Sequence, residues 1–220
     1  MRLKLLLNQN KEILPYNYQP ILTGALHKWI GKNNDLHENA SLYSFSWLQN
    51  VTANSKGIIT NDNTSCFFSF YDELLAKNVL KSIMNNPEIY DDLSVRDIII
   101  QETPNLSNIN KFHVSSPIFV KGQNDDGKTI HYSFNDKQSE ELMTKTLKTK
   151  LEIAKIDSSN LNVKFNHSYP KAKTKIIDYN GIKNKVNICP IEIRGSQEQK
   201  AFAWNVGVGN STGIGFGSLK

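Results

Sequence analysis

The chain has 220 residues, a formal net charge of +5 at pH 7, and 39% hydrophobic and 10% aromatic residues. This content can build hydrophobic cores, which excludes a wholly disordered chain, and the length is comfortable for two small domains. The positive charge indicates an acidic partner, most commonly nucleic acid. The apolar run at the N-terminus is too short for a signal peptide and no segment is long enough to cross a membrane, so the sequence predicts a cytoplasmic protein without a membrane partner.

The first hundred residues alternate between strand and helix patterns. Residues 42–48 alternate aromatic positions with serine and leucine, as a strand does, whereas the apolar spacing of residues 21–30 is helical. Asp72 is a suitable N-cap for a second helix. The predicted order is strand Arg2–Leu7, helix Ile21–Ile30, strands Leu42–Leu48 and Ser65–Tyr71, a helix from Asp72 to about Asn86, and strand Ser94–Gln101.

A polar, turn-rich stretch at residues 104–110 separates this pattern from a second, less regular one. The second half is predicted to contain strand Phe112–Lys121, a turn at Asn124–Gly127, a returning strand Thr129–Phe134, a helix from Ser139 to about Ala154, strands Asn162–His167, Lys173–Tyr179 and Lys185–Ile193, and helix Glu198–Asn205. The β-α-β-β-α-β order of the first half is that of a ferredoxin-like unit. The predicted fold class is therefore α+β, with two tandem ferredoxin-like (RRM-like) domains, residues 1–103 and 111–220, the second decorated with extra strands.

The last fourteen residues, 207–220, hold five of the twelve glycines. Such a cluster marks backbone that turns sharply or approaches a ligand closely. A loop of this kind can direct several N–H groups at one phosphate, whereas the alternative is a glycine-rich hairpin that closes a sheet. A dinucleotide site and a P-loop are excluded, because only three residues follow Gly217 and no Gly-Lys-Ser/Thr is present.

The positive charge is concentrated in the second half of the chain. Ten lysines and three acidic residues lie between Lys145 and Lys185. The open alternatives are an RNA-binding face and a solvated lysine-rich surface. Arginine occurs only three times in the chain, which argues against extensive bidentate reading of guanine edges.

Few residues of the sequence are candidates for catalysis or metal binding. Cys66 and Cys189 lie 123 positions apart without a CxxC, so neither a zinc site nor a disulfide is supported, and both are predicted to be buried thiols. No Gly-x-Ser-x-Gly is present and no cysteine lies near a histidine, which leaves nucleophilic catalysis without support. His27 and His37 flank a polar segment and can meet in one cleft, where imidazoles can exchange protons near neutral pH. The other three histidines are interpreted as structural: His113, His131 and His167.

Four segments together carry a family resemblance. They are Pro15-Tyr-Asn-Tyr-Gln19, Leu36-His37-Glu38 followed by Tyr43-Ser-Phe-Ser-Trp-Leu48, Val114-Ser-Ser-Pro-Ile-Phe-Val-Lys121, and the glycine-rich ending after Ala201-Phe-Ala-Trp-Asn205. Along nearly its whole length the chain resembles the Cas6-type CRISPR repeat endoribonucleases of the RAMP superfamily. The glycine-rich ending alone also occurs in non-catalytic subunits of that superfamily, and its combination with the Leu36-His37 segment is what indicates Cas6.

The resemblance implies metal-independent cleavage of CRISPR repeat RNA, from pre-crRNA to crRNA, without a cofactor. The 2′-hydroxyl attacks the adjacent phosphorus and leaves a 2′,3′-cyclic phosphate, so the protein supplies proton transfer, alignment and charge stabilisation. Because His37 matches the histidine of the family's Leu-His motif, the resemblance implies that it is the general acid or base. His27 lies at the position where the family has a tyrosine on the first helix. We expect the two to share the acid and base roles; the alternative for His27 is packing beside Trp29. The family's lysine shortly after the histidine is missing, so Lys28 or Lys32 is predicted to stabilise charge.

The predicted RNA contacts are the glycine-rich ending and a lysine-rich strand-loop face: Gly207, Gly209, Asn210, Gly213, Gly215 and Gly217, with Lys164, Lys171, Lys173, Lys175, Lys183 and Lys185. CRISPR repeat RNA is the predicted partner, and the resemblance leaves open other Cas proteins of an effector complex and a homodimer. One alternative is a non-catalytic RAMP subunit that holds guide RNA, which would not need the His37 segment. Another is a tandem RRM-like module, disfavoured because no RNP1-type string lies on a strand.

Overall fold

The computed structural model describes residues 1–31 and 40–220 and shows a mixed α+β fold with antiparallel strand pairs. In chain order the elements are β1 (Arg2–Leu7), α1 (Gln19–Ile30), β2 (Tyr43–Phe45), β3 (Thr52–Asn54), β4 (Gly57–Ile59), β5 (Ser65–Phe70), α2 (Glu73–Asn85), β6 (Glu88–Tyr90), β7 (Leu93–Gln101), β8 (Lys111–Phe112), β9 (Ile118–Phe119), β10 (Lys121–Gln123), β11 (Thr129–His131), α3 (Lys137–Ile153), β12 (Asn162–Phe165), β13 (Lys173–Tyr179), β14 (Ile182–Ile188), β15 (Ile191–Arg194) and α4 (Gln197–Val206), followed by a 3₁₀ turn at Thr212–Ile214.

The N-terminal half is a ferredoxin-like unit. Its main sheet has the order β2-β5-β1-β7-β6, and α1 and α2 follow β1 and β5 in the chain. The two helices pack against each other and against the sheet. Leu22 and Leu26 of α1 and Val79 and Ile83 of α2 share one buried cluster with Leu5 of β1. The helical spacing of these apolar residues is what turns one face of each helix toward the sheet.

Most elements of this half lie where the sequence predicted them. Asp72 is the N-cap of α2, and its carboxylate accepts two hydrogen bonds from backbone N–H groups of the first turn. The strand predicted for residues 42–48 is shorter, because the backbone N–H of Trp47 donates to the carbonyl of Ser115 in the C-terminal half instead of continuing the ladder. The sequence did not predict the hairpin β3–β4 or the strand β6. In the hairpin, β3 is fully exposed and has no alternation of apolar residues.

The C-terminal half repeats the ferredoxin-like arrangement. Its main sheet has the order β12-β15-β8, and residues 218–220 extend it by pairing with residues 113–115. Phe112, Met143, Ile193 and Phe202 meet in the buried cluster between this sheet and the helices α3 and α4. The extra strands form a second sheet, β13-β14-β9, and the hairpin β10–β11. The predicted fold class, two tandem ferredoxin-like domains with a decorated second one, is confirmed.

Two strands that the sequence predicted as continuous are divided between sheets. The segment 112–121 splits into β8 and β9, with Pro117 between them, and the segment 185–193 splits into β14 and β15 at Pro190. Proline has no N–H to give to a ladder. The carbonyls of these prolines instead accept hydrogen bonds from neighbouring loops, with N···O distances of 2.8 Å in both cases.

The predicted start of α3 was also wrong by two residues. The helix begins at Lys137, after Asp136, and not at Ser139. The hydroxyl of Ser139 donates to the carbonyl of Asp136 at 2.7 Å and therefore does not cap the helix. The Asp136 carboxylate accepts from the backbone N–H and the hydroxyl of Ser133, which fixes the turn before the helix and lowers the pKa of Asp136.

Arg2 joins the two halves at the start of the chain. Its guanidinium lies between the rings of Phe67 and Trp204, 3.7 and 3.4 Å from their centroids. It donates to the carbonyls of Trp204 at 3.1 Å and Leu219 at 2.9 Å. Burial lowers the pKa of Arg2 to about 9. The domain limits, residues 1–103 and 111–220, stay a prediction, but this contact shows that the first strand and the last residues of the chain pack together.

Candidate nucleic-acid interface

The glycine-rich loop, residues 207–217, packs directly onto β2. A Cβ atom at Gly213 would lie 2.3 Å from the Ser41 hydroxyl, and one at Gly215 would lie 2.7 Å from the ring of Phe45. Within the loop, a Cβ at Gly217 would lie 1.9 Å from the carbonyl oxygen of Val208. Glycine is therefore required here by close packing, in addition to any contact with a ligand.

Several N–H groups of this loop already have protein acceptors. Those of Gly207, Gly215 and Gly217 donate to the carbonyls of residues 203, 212 and 117 at 2.8–3.2 Å. All five loop glycines are buried, and Asn210 is half-buried. The Asn210 side chain accepts from the backbone N–H of Lys121 at 2.9 Å, so it holds the edge of β10. The structure shows that these residues pack and form internal hydrogen bonds. Their binding to RNA phosphates stays a prediction.

A buried lysine anchors the same loop. Lys150 of α3 is only 4% exposed, and its ammonium group donates to the Thr212 hydroxyl at 2.7 Å and to the Val206 carbonyl at 3.2 Å. The Thr212 hydroxyl donates in turn to the carbonyl of Tyr43 in β2 at 3.1 Å. Burial lowers the pKa of Lys150 to about 7. One chain of hydrogen bonds thus connects α3, the loop and the N-terminal sheet.

The predicted lysines do not share one face. Register pairs Lys175 with Val186 and Ile176 with Lys185, and neighbouring residues of a strand point to opposite faces. Lys173 and Lys175 therefore lie on the face that carries Ile177 and Val186, which pack near Trp47, whereas Lys183 and Lys185 lie on the other face. Lys164 is on β12 in the other sheet, and Lys171 precedes β13. All six are exposed except Lys185, which is half-buried.

Of the two histidines predicted to be catalytic, the structure describes His27, which lies in α1. His27 is half-buried in the last turn, and α1 packs against the 3₁₀ turn of the glycine-rich loop. His37 and Lys32 lie outside the described residues. Lys28 is exposed, and its ammonium group donates to the carbonyl of Glu88 and lies 3.4 Å from the Asn86 side-chain oxygen.

The other histidines have packing or pairing contacts that fit their structural interpretation. His113 packs edge-on against Tyr169, and His131 packs edge-on against Phe119 and accepts from the backbone N–H of Lys185 at 3.3 Å. Burial and two nearby lysines lower the pKa of His131. The Nε2 atom of His167 lies at hydrogen-bond distance, 2.9 Å, from the Glu140 carboxylate.

Two further features concern metals and membranes. Both cysteines are buried free thiols, as predicted. Within residues 1–31 and 40–220, no group of three or more His, Cys, Asp or Glu side chains could hold a metal ion. In the same residues no helix is both long and apolar enough to cross a membrane.

Comparison with known proteins decides the family. The model of the family "CRISPR associated protein Cas6, C-terminal" matches residues 100–220, more than half of the chain. The chain belongs to the Cas6 family. Comparison with curated protein sequences yields no match.

Solved structures share the whole Cas6 fold of this chain. A CRISPR-associated protein Cas6 is 23% identical with a TM-score of 0.82, and 100% of this chain and 98% of that one are covered. The product of a Cas6-related gene from Pyrococcus furiosus is 22% identical, also with a TM-score of 0.82, over 100% and 97% of the chains. A RAMP protein described as binding different RNA substrates is 20% identical with a TM-score of 0.79, over 100% and 98%. At these identities the likeness establishes the fold alone.

Membership of the Cas6 family assigns the chain to CRISPR-associated RNA processing or binding. Three residues that were not among the predicted site residues lie around this candidate interface: Trp47 and Lys150 contact the glycine-rich loop or its 3₁₀ turn, and Gln19 shares a cavity with Trp47. The Trp47 indole N–H donates to the carbonyl of Gly215 at 2.9 Å, so this ring is fixed to the glycine-rich loop. Lys150 falls in the helical pattern of α3 and gave no local signal, because its partner Thr212 is 62 positions away. Gln19 and Trp47 lie in segments that carry the family resemblance, and this is the signal that could have been followed.

Proposed function

We propose that this Cas6-family chain is a metal-independent endoribonuclease that cleaves CRISPR repeat RNA. One observation supports the location of the site: two segments that bracket His37 meet the glycine-rich loop. Helix α1, which carries His27, packs against the 3₁₀ turn of the loop, and Ser41 lies against Gly213. The described residues on both sides of the His37 segment therefore contact the loop.

The proposed chemistry uses the nucleophile that RNA itself carries. One imidazole takes the proton of the 2′-hydroxyl as the O2′–P bond forms, and the other, as imidazolium, gives a proton to the 5′-oxygen as the P–O5′ bond breaks. The products are a 2′,3′-cyclic phosphate and a free 5′-hydroxyl. His37 and His27 fill these two roles in the proposal. Because Lys28 is engaged with the Glu88 carbonyl, charge stabilisation is assigned first to Lys32 and second to Lys28.

The RNA is proposed to lie between the glycine-rich loop and the β13–β14 hairpin. Lys173 and Lys175 are exposed on the hairpin face whose Ile177 and Val186 pack near Trp47, and Trp47 itself is bonded to the loop. Lysines bind phosphates as point charges, so binding is expected to weaken steeply as salt rises. Other Cas proteins and a second copy of the chain stay predicted partners.

The test is cleavage of a radiolabelled repeat RNA in EDTA. Wild-type protein should produce a 2′,3′-cyclic phosphate end, and His37→Ala and His27→Ala should each slow cleavage by about 10²- to 10⁴-fold while RNA affinity is retained. His167→Ala is the matched control, because it removes an exposed histidine paired with Glu140 and should cleave normally.

Three results would contradict the mechanism. They are a requirement for metal, full activity of a variant that carries both His37→Ala and His27→Ala, and cleavage of RNA with a 2′-deoxy group at the scissile position. Tight RNA binding by the wild-type chain with no cleavage at all would instead indicate the non-catalytic RAMP alternative.

A further inference from the structure

A cavity outside the proposed catalytic site lies between the start of α1 and the edge of β13. Its volume is about 450 Å³, which is room for a nucleobase with its ribose. Its walls come from both halves of the chain, with Leu48 and Ile58 on the N-terminal side and Lys175 and Ile177 on the other. Ligand sites occur preferentially at such boundaries between domains, where an apolar wall is combined with few polar groups.

Two aromatic side chains of the cavity are held in place through their polar atoms. Trp47 is half-buried and bonded through its indole N–H to the Gly215 carbonyl. Tyr16 is 55% exposed, and its hydroxyl donates to the carbonyl of Asn54. The ammonium group of Lys175 lies 5.8 Å from the Trp47 ring centroid. Fixed aromatic rings beside a cation are the combination on which unpaired nucleotides stack.

The cavity also contains a buried amide oxygen that has no hydrogen-bond partner among the described residues. This oxygen is the Oε1 atom of Gln19, which is 2% exposed and lines the cavity. Leaving a buried acceptor without a donor costs about 1–3 kcal/mol. A ligand that brings an N–H group to this position would remove that cost, so Gln19 is a second observation, independent of the aromatic rings, that points to a bound molecule.

We propose that this cavity binds one unpaired adenine of the RNA and that Gln19 selects it. A glutamine amide can accept from the adenine 6-amino group and donate to the adjacent ring nitrogen, whereas uracil has no amino group, and cytosine, which offers the same pair of atoms, has a smaller ring for stacking. Adenine also presents a large face for stacking on Trp47 and Tyr16. The inference rests on the RNA-binding part of the proposed function and is independent of the cleavage chemistry.

The position of the cavity relates it to the proposed catalytic site. Gln19 is the first residue of α1 and His27 lies eight residues later on the same helix, about 12 Å along its axis at 1.5 Å per residue. The glycine-rich loop is bonded to Trp47 of the cavity, and its 3₁₀ turn packs against α1. One short single strand can therefore occupy both places, so the cavity would set which nucleotide lies near the scissile phosphate.

The experiment is a titration of ¹⁵N-labelled protein with AMP, GMP, CMP and UMP separately. AMP should shift the indole resonance of Trp47, leave those of the buried Trp29 and Trp204 in place, and bind about tenfold more tightly than UMP. In Gln19→Leu that preference should disappear. Because the substitution removes an unpaired polar atom, the melting temperature of the Gln19→Leu protein should be unchanged or higher. If Gln19 only stabilised the fold, the melting temperature would fall.

Further variants keep the proposal falsifiable if Gln19→Leu fails to fold. Tyr16→Ala changes an exposed ring and should weaken AMP binding. Lys175→Gln should also weaken it, and Lys183→Gln on the other face of the same hairpin is the charge-matched control.

Absence of a Trp47 shift with all four nucleotides would overturn the proposal, as would an AMP preference that persists in Gln19→Leu. AMP binding by a chain that does not cleave repeat RNA would leave the cavity assignment standing and reject only the nuclease.

Discussion

The glycine-rich loop and the β13–β14 hairpin carry the two sequence signals of nucleic-acid binding, and the structure builds them in opposite ways. The five loop glycines are buried against residues 41–45, against β9 and against other residues of the loop, and Lys150 donates a hydrogen bond to Thr212 of the loop. The lysines of the hairpin project from both of its faces, and all except the half-buried Lys185 are exposed. The glycines are explained by close backbone packing, whereas the lysines have no comparable internal role. The loop therefore shapes the surface, and the hairpin supplies its charge.

The largest expected effect concerns a glycine of the loop. Gly217→Ala places a Cβ atom 1.9 Å from the Val208 carbonyl oxygen at a φ of 68°, so we expect a loss of about 3 kcal/mol or more in the free energy of unfolding. Gly181→Ala at the hairpin tip has a φ of 82° but open space around it, and it should cost only about 1–2 kcal/mol. Urea unfolding measures both. Equal losses would show that backbone conformation, and not packing, sets the need for glycine in the loop.

A smaller effect is expected where Lys150 holds the loop. Its pKa is lowered to about 7 in the folded chain, so between pH 7 and about 10 the unfolded state binds a proton that the native state does not. Stability should therefore rise with pH across this window, by up to about 1 kcal/mol per pH unit. This rise should be absent in Lys150→Met and present in Lys145→Met, an exposed lysine of the same helix. Thermal melts from pH 6 to 10 measure it, and identical slopes in all three proteins would contradict the buried position of the ammonium group.

The smallest effect is expected on the hairpin, where binding and not folding should change. The double change Lys173→Gln and Lys175→Gln removes two charges from the face that packs near Trp47, and it should weaken RNA binding and reduce the slope of log K against log salt by about 1.4. The matched change Lys183→Gln and Lys185→Gln alters the opposite face and should leave the slope nearly unchanged. Filter binding of repeat RNA at several salt concentrations gives both slopes. A larger effect from the second pair would place the RNA on the other face.

Local patterns in the chain predicted much of this fold. The strand β1, the helices α1 and α2 and the N-cap Asp72 follow from apolar spacing and capping chemistry, which depend on neighbouring residues. The splits at Pro117 and Pro190 were missed because a run of β-formers does not show when a strand changes partners. Of the candidate site, the sequence located α1 and the loop, but not Trp47 or Gln19 as members of one cavity.

By itself, the sequence determined the fold class, the basic character of the second half and, through motifs resembling Cas6, the family. Only the tertiary structure decided which contacts the loop glycines and Lys150 make. Gly213 meets Ser41 and Lys150 meets Thr212 across 172 and 62 positions of the chain. Contacts over such separations leave no local periodicity, because they form only when distant parts of the chain pack together.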